Sequence, residues 1–372
     1  MLYLIFNLWS IGWLAILDRF RLNAPSRMFF FLYFAFLLSF LPAFQYNVGT
    51  DYFTYISIFE NESKLELFFK KGELAFFYLV VFLKSLDLPS QSIFIVVSII
   101  SSVFILLALR LLNLHGYRYS IVFLCFFLMT GMLHNQMNGL RNYLAVYSFV
   151  CALLCKFSGR YKSAILLGFF GVFFHQTFYF MLPFLLIPSI AYELLAKKTL
   201  LWFPLFFIFW GSGFSVYVLE YVVLNYAGFY SHYIDGALEG VSLLSVLTKA
   251  YYLPLQLWFI FWVRRNYPNL SLFKKRIIGF WLIGSCLYLG LLHSGLFFRT
   301  YHYFVFFSII PAYHFLTSRQ LTSVKAIFIL YLMAPYIFKV IVFPVGEYDY
   351  QSYLFSINSN DKFSSFGVSL SG

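Results

Sequence analysis

The stretch 119-YSIVFLCFFLMTGMLHNQMNGLRNYLAVYSFVCALLCKF-157 decides the fold class. Two apolar runs, 119–137 and 140–156, meet at the polar island HNQMNGLRN, and each approaches the ~20 residues that a helix needs to cross a bilayer. An ionisable group at membrane depth is expensive unless it lines a wet cavity or finds a partner, so Arg141 marks a functional candidate. On a continuous helix His134, Asn138 and Arg141 would stack on one face, while Gly139 is a point where that helix can break. Three more islands interrupt apolar sequence: QYNVGTDYFTY with Asp51, FFHQTF with His175, and LFFRTYHY with Arg299 and His302.

Composition excludes a soluble globule. Only 11% of the 372 residues are charged and 62% are hydrophobic, too little polar surface to cover a water-soluble domain of this size. The mean hydropathy is +0.81. The net charge of +12 does not form a basic face for nucleic acid. Its Lys and Arg residues sit in short loops such as DRFRLNAPSR, KFSGRYK and VRRNYPNLSLFKKR, the pattern of loops retained in the cytoplasm. Cys125, Cys151, Cys155 and Cys286 all lie in apolar runs without a neighbouring His or acid, so they read as packing residues, and no metal or other cofactor is expected.

The expected fold is therefore an all-α polytopic integral membrane protein. Apolar runs occupy 2–17, 28–44, 73–86, 91–109, 119–137, 140–156, 163–181, 183–196, 199–219, 248–263, 277–292, 300–316 and 324–343, giving about 11 to 13 spans in one transmembrane domain, 1–343. With the cationic loops 18–27, 156–162, 264–276 and 317–325 inside, loops 45–72 and 220–247 fall outside. Parity then forbids 73–86 from crossing fully, so a re-entrant or interfacial helix is expected there. Pro183 and Pro188 should break the segment after His175, and 344–372 reads as a polar, mostly flexible tail. Under this topology Asp51, Arg141, His175 and Arg299 converge at the outer end of the bundle.

Each candidate has a plainer alternative. Asp51 suits a helix cap as well as a base. Arg141 could snorkel, although an island of this size is large for one snorkelling side chain, and its planar fork suits phosphate. His175, with Gly168 and Gly171 on its helix face, is either a packed imidazole or a catalytic one. His302 follows Arg299 by three positions on the same face.

NVGTDYFTY after the second span, GLRNYLAVYSFV before KFSGRYK, FFHQTFYFMLPFL, and the late FFRTYHY, taken in order, resemble the EpsG family of bacterial polysaccharide polymerases, grouped with Wzy-type polymerases. The resemblance runs over most of the chain as a layout and is specific only as an ordered set. It implies a membrane glycosyltransferase of GT-C-like architecture that joins undecaprenyl-diphosphate-linked oligosaccharide repeat units at the periplasmic face of the bacterial inner membrane. The bilayer and the lipid-linked oligosaccharide are its expected partners, together with a polysaccharide chain-length regulator. The family's Gly-Thr-Asp acid falls on Asp51, its Arg on Arg141 and its Phe-His on Phe174 and His175. Asn142 stands where many members carry Gln, and Gln176 where a basic or small residue is usual. Asp51 and His175 are thus the catalytic candidates. Arg141, Arg299, His134, Asn138 and His302 are the candidates for holding sugar and diphosphate. Asp-x-Asp pairs are absent, so metal-independent chemistry is expected. A lipid-linked oligosaccharide flippase is the competing class, but it would need inverted repeats and mid-depth polar groups in both halves. An O-antigen ligase would carry a larger outer loop.

Overall fold

The computed structural model describes residues 2–212, 250–290, 296–342 and 346–356, together with scattered positions between 213 and 249. Most of loop 220–247, and its expected outer placement, lies outside the described residues. The protein is an all-α polytopic membrane protein. Among the described residues the only β-type pairing is an isolated bridge between Gln45 and Ser352.

The first helices are α1 (Leu2–Arg19), α2 (Ala24–Ala43), α3 (Tyr52–Glu60), α4 (Glu62–Lys70), α5 (Leu74–Ser85) and α6 (Ser92–Asn113). Next come α7 (Tyr119–Thr130), α8 (Met132–Asn138), α9 (Leu140–Phe157) and α10 (Tyr161–Phe174). A 3-10 turn, Gln176–Met181, leads to α11 (Leu182–Leu186), α12 (Ser189–Lys197) and α13 (Thr199–Gly211). The last third holds α14 (Leu253–Asn266), α15 (Leu272–Gly290), α16 (Leu296–Val305), α17 (Ile309–Thr317), α18 (Thr322–Ile337) and the single turn α19 (Tyr353–Ser356).

Four of the described helices are long and apolar enough to cross a membrane, and six spans result if each bent pair counts as one. The larger number expected from apolar runs counts segments that fold as shorter helices, such as α5, α10 and α13, or as helices interrupted by proline and 3-10 turns. At 12 residues, α5 is about 18 Å long, too short to cross the hydrocarbon core. Segment 45–72 is not loop throughout, since α3 and α4 form within it. The run 119–137 breaks by 57° at Gly131, whose φ of +64° opposes a side chain, and the chain breaks again at Gly139. Its break leaves room for Tyr348 Oη, which a Cβ on Gly131 would meet at 3.0 Å.

The axis of the bundle is α9. From Tyr143 to Phe157 every residue is buried, against α6 on one side and α10 on the other. An all-round apolar helix must be enclosed by others, and here charge is confined to its two ends. At one end the buried Lys156 donates to the carbonyls of Phe184, Leu185 (2.7 Å) and Ile187, satisfying backbone that the prolines release. Around it the basic loops gather. Arg276 pairs with Glu193 at 2.8 Å and donates to Phe157 O. His115 contacts Ser158 at 2.9 Å and stacks on Phe273. Asp18 caps α7 through Tyr119 N and Ser120 N. At the opposite end of α9 sits Arg141.

The connection 44–51 leaves the helical regime near that second end, so its carbonyls need partners. Buried Gln91 donates to Ala43 O at 2.8 Å and to Gln45 O, and accepts from Tyr52 Oη; Gln45 donates to Met137 O at 3.1 Å. Residues 346–356 do not hang free. Tyr46 N donates to Gln351 O at 2.9 Å and Tyr353 N to Phe44 O at 2.7 Å, strapping the C-terminal segment onto the loop that precedes Asp51.

Candidate functional site

Four segments far apart in sequence meet at the Arg141 end of α9. Gly49 holds φ +73°, and its hydrogen-only Cα face lies against Asn138, where a Cβ would stand 2.6 Å from Oδ1. The close approach at Gly49 is made by Asn138. Asn138 Oδ1 accepts from Asp51 N at 2.8 Å and from Thr50 Oγ1 at 3.3 Å, so the last side chain of α8 fixes the Asp51 turn. Asn138 is a positioning residue in this geometry.

Asp51 occupies the N-cap position of α3, yet its carboxylate bonds no amide of that helix. Among the described residues its carboxylate meets one hydrogen-bond donor, Thr50 Oγ1 at 3.4 Å, and it is half-buried. A cap would have consumed the carboxylate. Here it is left uncommitted.

Arg141 does not snorkel. Its Nη1 makes a short ion pair with Glu73, whose side chain is only 4% exposed against 19% for the arginine. The guanidinium lies 4.3 Å from the Phe68 ring centroid, with Phe76 and Tyr55 on its other sides. Burial pushes the Tyr55 phenol up, while the Arg141 charge pulls it down and the Asp51 charge raises it again, so both groups act on one phenol oxygen. Glu73 also accepts weakly from Gln176 N at 3.4 Å, and Gln176 Nε2 donates to Lys71 O at 2.6 Å. Glu73 therefore joins α5, α9 and the turn after His175 in one knot.

His175 ends α10 in extended backbone. Its Nδ1 accepts from Thr177 N at 3.2 Å, which puts the proton of a neutral ring on Nε2. Thr177 Oγ1 lies 2.8 Å from that Nδ1, 2.9 Å from Tyr303 Oη and 3.3 Å from Asn142 Oδ1. Asn142 Nδ2 in turn reaches His302 Nδ1 at 3.4 Å. A polar chain thus runs from Glu73 through the 175–177 turn to His302. The ring of Phe178 covers Gly171, so that glycine receives an aromatic side chain and not a neighbouring backbone.

His134 parts from this group. Of the two alternatives for His134, stacking with Arg141 on a continuous helix or a break at Gly139, the structure has the break. His134 is buried between the rings of Tyr3 and Tyr348, both 4.3 Å away, and meets Tyr336 Oη at 3.0 Å, a packed joint between α8, α1 and the strap. Arg299 lies on α16, but its side chain falls outside the described residues. Sequence reading missed Glu73, Asn142, Thr177 and Tyr55. Glu73 offers one signal in retrospect, an acid directly before the apolar run of α5, but its partner lies 68 positions away.

Beside this cluster a cavity of about 930 Å³ opens between α7, α14, α15, α16 and α18. His302 belongs to both, with Asn142 on one side and the cavity on the other.

Neither the curated proteins nor the solved structures contain a significant match to the chain. The EpsG family model matches residues 28–355, a range that begins in α2, takes in every residue of the cluster and ends in the C-terminal strap. With that match over most of its length, the chain belongs to the EpsG family.

Proposed function

We propose that this protein polymerises undecaprenyl-diphosphate-linked oligosaccharide repeat units by glycosyl transfer at the periplasmic face of the bacterial inner membrane. Membership of the EpsG family supports a polysaccharide-polymerase role. The observation that carries the finer proposal is Asp51, whose backbone N–H is held by Asn138 against Gly49 and whose carboxylate is left unbonded by the helix it precedes.

In the proposed step an acceptor sugar hydroxyl attacks the anomeric carbon of the donor. The bond from that carbon to the diphosphate oxygen breaks, the lipid diphosphate leaves, and the hydroxyl proton passes to Asp51. Arg141 and Arg299 supply positive charge as the diphosphate departs. Since Nη1 of Arg141 is taken by Glu73, the remaining edge of its fork is the part that meets phosphate. His175, with its proton on Nε2, serves as a donor to substrate oxygen rather than as the base. Metal-independent chemistry and a GT-C-like arrangement belong to the same proposal. A flippase is not favoured, because α9 is sealed by apolar packing between Asn142 and Lys156.

Deletion of the gene tests the function directly. Electrophoresis of the surface polysaccharide should show the ladder lost with a single repeat unit retained. Complete loss of the glycan, including the single unit, would point to a flippase or ligase instead.

A further inference from the structure

The cavity beside His302 has a chemistry of its own. Its walls carry Tyr251, Tyr252, Tyr288, Tyr301 and Tyr336, with Trp281, Gln256 and Ser285 among them. At about 930 Å³ it stands near the top of the ~300–1,000 Å³ range of small-molecule pockets. We propose that it seats the carbohydrate of the lipid-linked substrate, and that this carbohydrate is uncharged and longer than one sugar ring. The proposal rests on the polymerase reading above and specifies its substrate.

Three observations lead there. First, the cavity adjoins the cluster through His302, whose ring meets Asn142 next to Arg141, so a glycan seated there lies beside the polar chain that ends at Glu73. Second, the lining suits a sugar better than a polyprenyl tail. Lipid is already as apolar as a protein interior, so moving a tail into the cavity gains little and leaves hydroxyl and amide groups facing hydrocarbon. A sugar offers C–H faces to the aromatic rings and hydroxyls to Tyr252, Tyr301 and Gln256, whereas the hydroxyls of Tyr251, Tyr336 and Ser285 already bond Tyr331 O, His134 and Leu282 O. Third, the charge is sparse. Among the described lining residues Lys339 is the one formally charged side chain, and it lies over the Tyr348 ring at 5.5 Å. An acidic sugar in each repeat would bring carboxylates into an aromatic enclosure with a single cation to meet them.

The test uses the full-length protein expressed in a deletion strain, with polymer length and amount read on gels and protein level by immunoblot. Ser285→Trp fills the cavity and Gln256→Leu removes an amide at similar shape; neither touches the Asp51 cluster. Losing one half-buried hydrogen-bonding group that meets the glycan should lower the polymer by about tenfold at wild-type protein level. Should Ser285→Trp fail to accumulate, Gln256→Leu decides. A wild-type ladder from Gln256→Leu overturns the cavity as glycan seat while leaving the polymerase reading intact. Sugar analysis of the polymer that the deletion removes tests the charge claim, and an acidic residue in its repeat unit overturns it. If the deletion removes no polymer, the polymerase reading fails and this inference with it.

Discussion

Glu73→Gln tests whether the buried pair with Arg141 holds the site together. The substitution keeps shape and removes the charge that Arg141 faces, leaving a guanidinium enclosed by Phe68, Phe76 and Tyr55. Breaking one partner of a buried pair costs about 3–5 kcal/mol; since Arg141 keeps 19% of its side chain exposed, the lower end, about 3 kcal/mol, applies. At roughly 2 °C per kcal/mol for a chain of this size, Tm should fall by about 6 °C. The four cysteines are free and buried, so a thiol-reactive fluorogenic dye reports unfolding of purified protein without added labels. The double variant Glu73→Gln with Arg141→Gln should recover most of the lost stability and remain inactive, because the strained charge is gone but the cation is too. Arg141→Lys should also fail, since an ammonium can neutralise Glu73 but cannot stack flat on Phe68 or offer a second donor edge. An unchanged Tm in Glu73→Gln, together with wild-type polymer, would refute both the energetic claim and the positioning role.

Asp51→Asn should keep normal stability, because the carboxylate caps nothing, and lose polymerisation by roughly 10²–10⁴-fold; His175→Ala should shorten the ladder without abolishing it, and the reverse ranking on the gel would give the base to His175. Gly49→Ala places a Cβ 2.6 Å from Asn138 Oδ1 at a φ of +73°, so a loss of about 1–3 kcal/mol in dye-monitored unfolding is expected, with reduced activity from a displaced Asp51 turn. Ending the chain after Val345 should abolish polymer while the protein still inserts, whereas ending it after Ser356 should leave a wild-type ladder, because the bonds to Phe44 and Tyr46 come from Tyr353 and Gln351. His115 is pushed below the ordinary histidine range, first by burial and then by Arg160 and Lys274. The unfolded chain then binds the proton more readily, so its contribution to stability is present above pH ~6.5 and falls as the pH drops toward the folded value; His115→Gln should flatten the difference in Tm between pH about 7.5 and about 5.

What could be read from sequence follows the range of the interactions involved. The membrane class and the central helix 140–156 were legible because apolar length and a polar flank are local properties, and α9 ends within one residue of the expected limit. Asp51, Arg141 and His175 were legible as ionisable residues in apolar surroundings. The Glu73 partnership was not, since the two residues lie 68 positions apart and Glu73 reads as one acid of a loop. Whether helical spacing carries from His134 to Arg141 was left open at Gly139, and the backbone breaks there. Nor does anything in GEYDYQSY announce that it will be strapped to residues 41–46, because backbone hydrogen bonds to residues 44 and 46, the Tyr350 hydroxyl on Leu41 O and Phe44 O, and Tyr348 stacked on His134 do that work.

Two carboxylates stand at the same end of the bundle, and their surroundings divide the labour between them. Glu73 is consumed: Arg141 takes one oxygen, Gln176 N–H approaches the other, and water is shut out by aromatic rings. Such a pair is weak support for stability compared with apolar packing of equal volume, so its presence needs another reason. That reason is register, because Glu73 fixes α5, the start of α9 and the 175–177 turn relative to one another. Asp51 is the converse. Its backbone is pinned by Asn138 and its approach depends on a glycine, yet its side chain is bonded only by the neighbouring Thr50. An acid whose backbone is immobilised while its carboxylate stays available is what the base role proposed for Asp51 requires, and the charges of Asp51 and Arg141 both act on the Tyr55 oxygen.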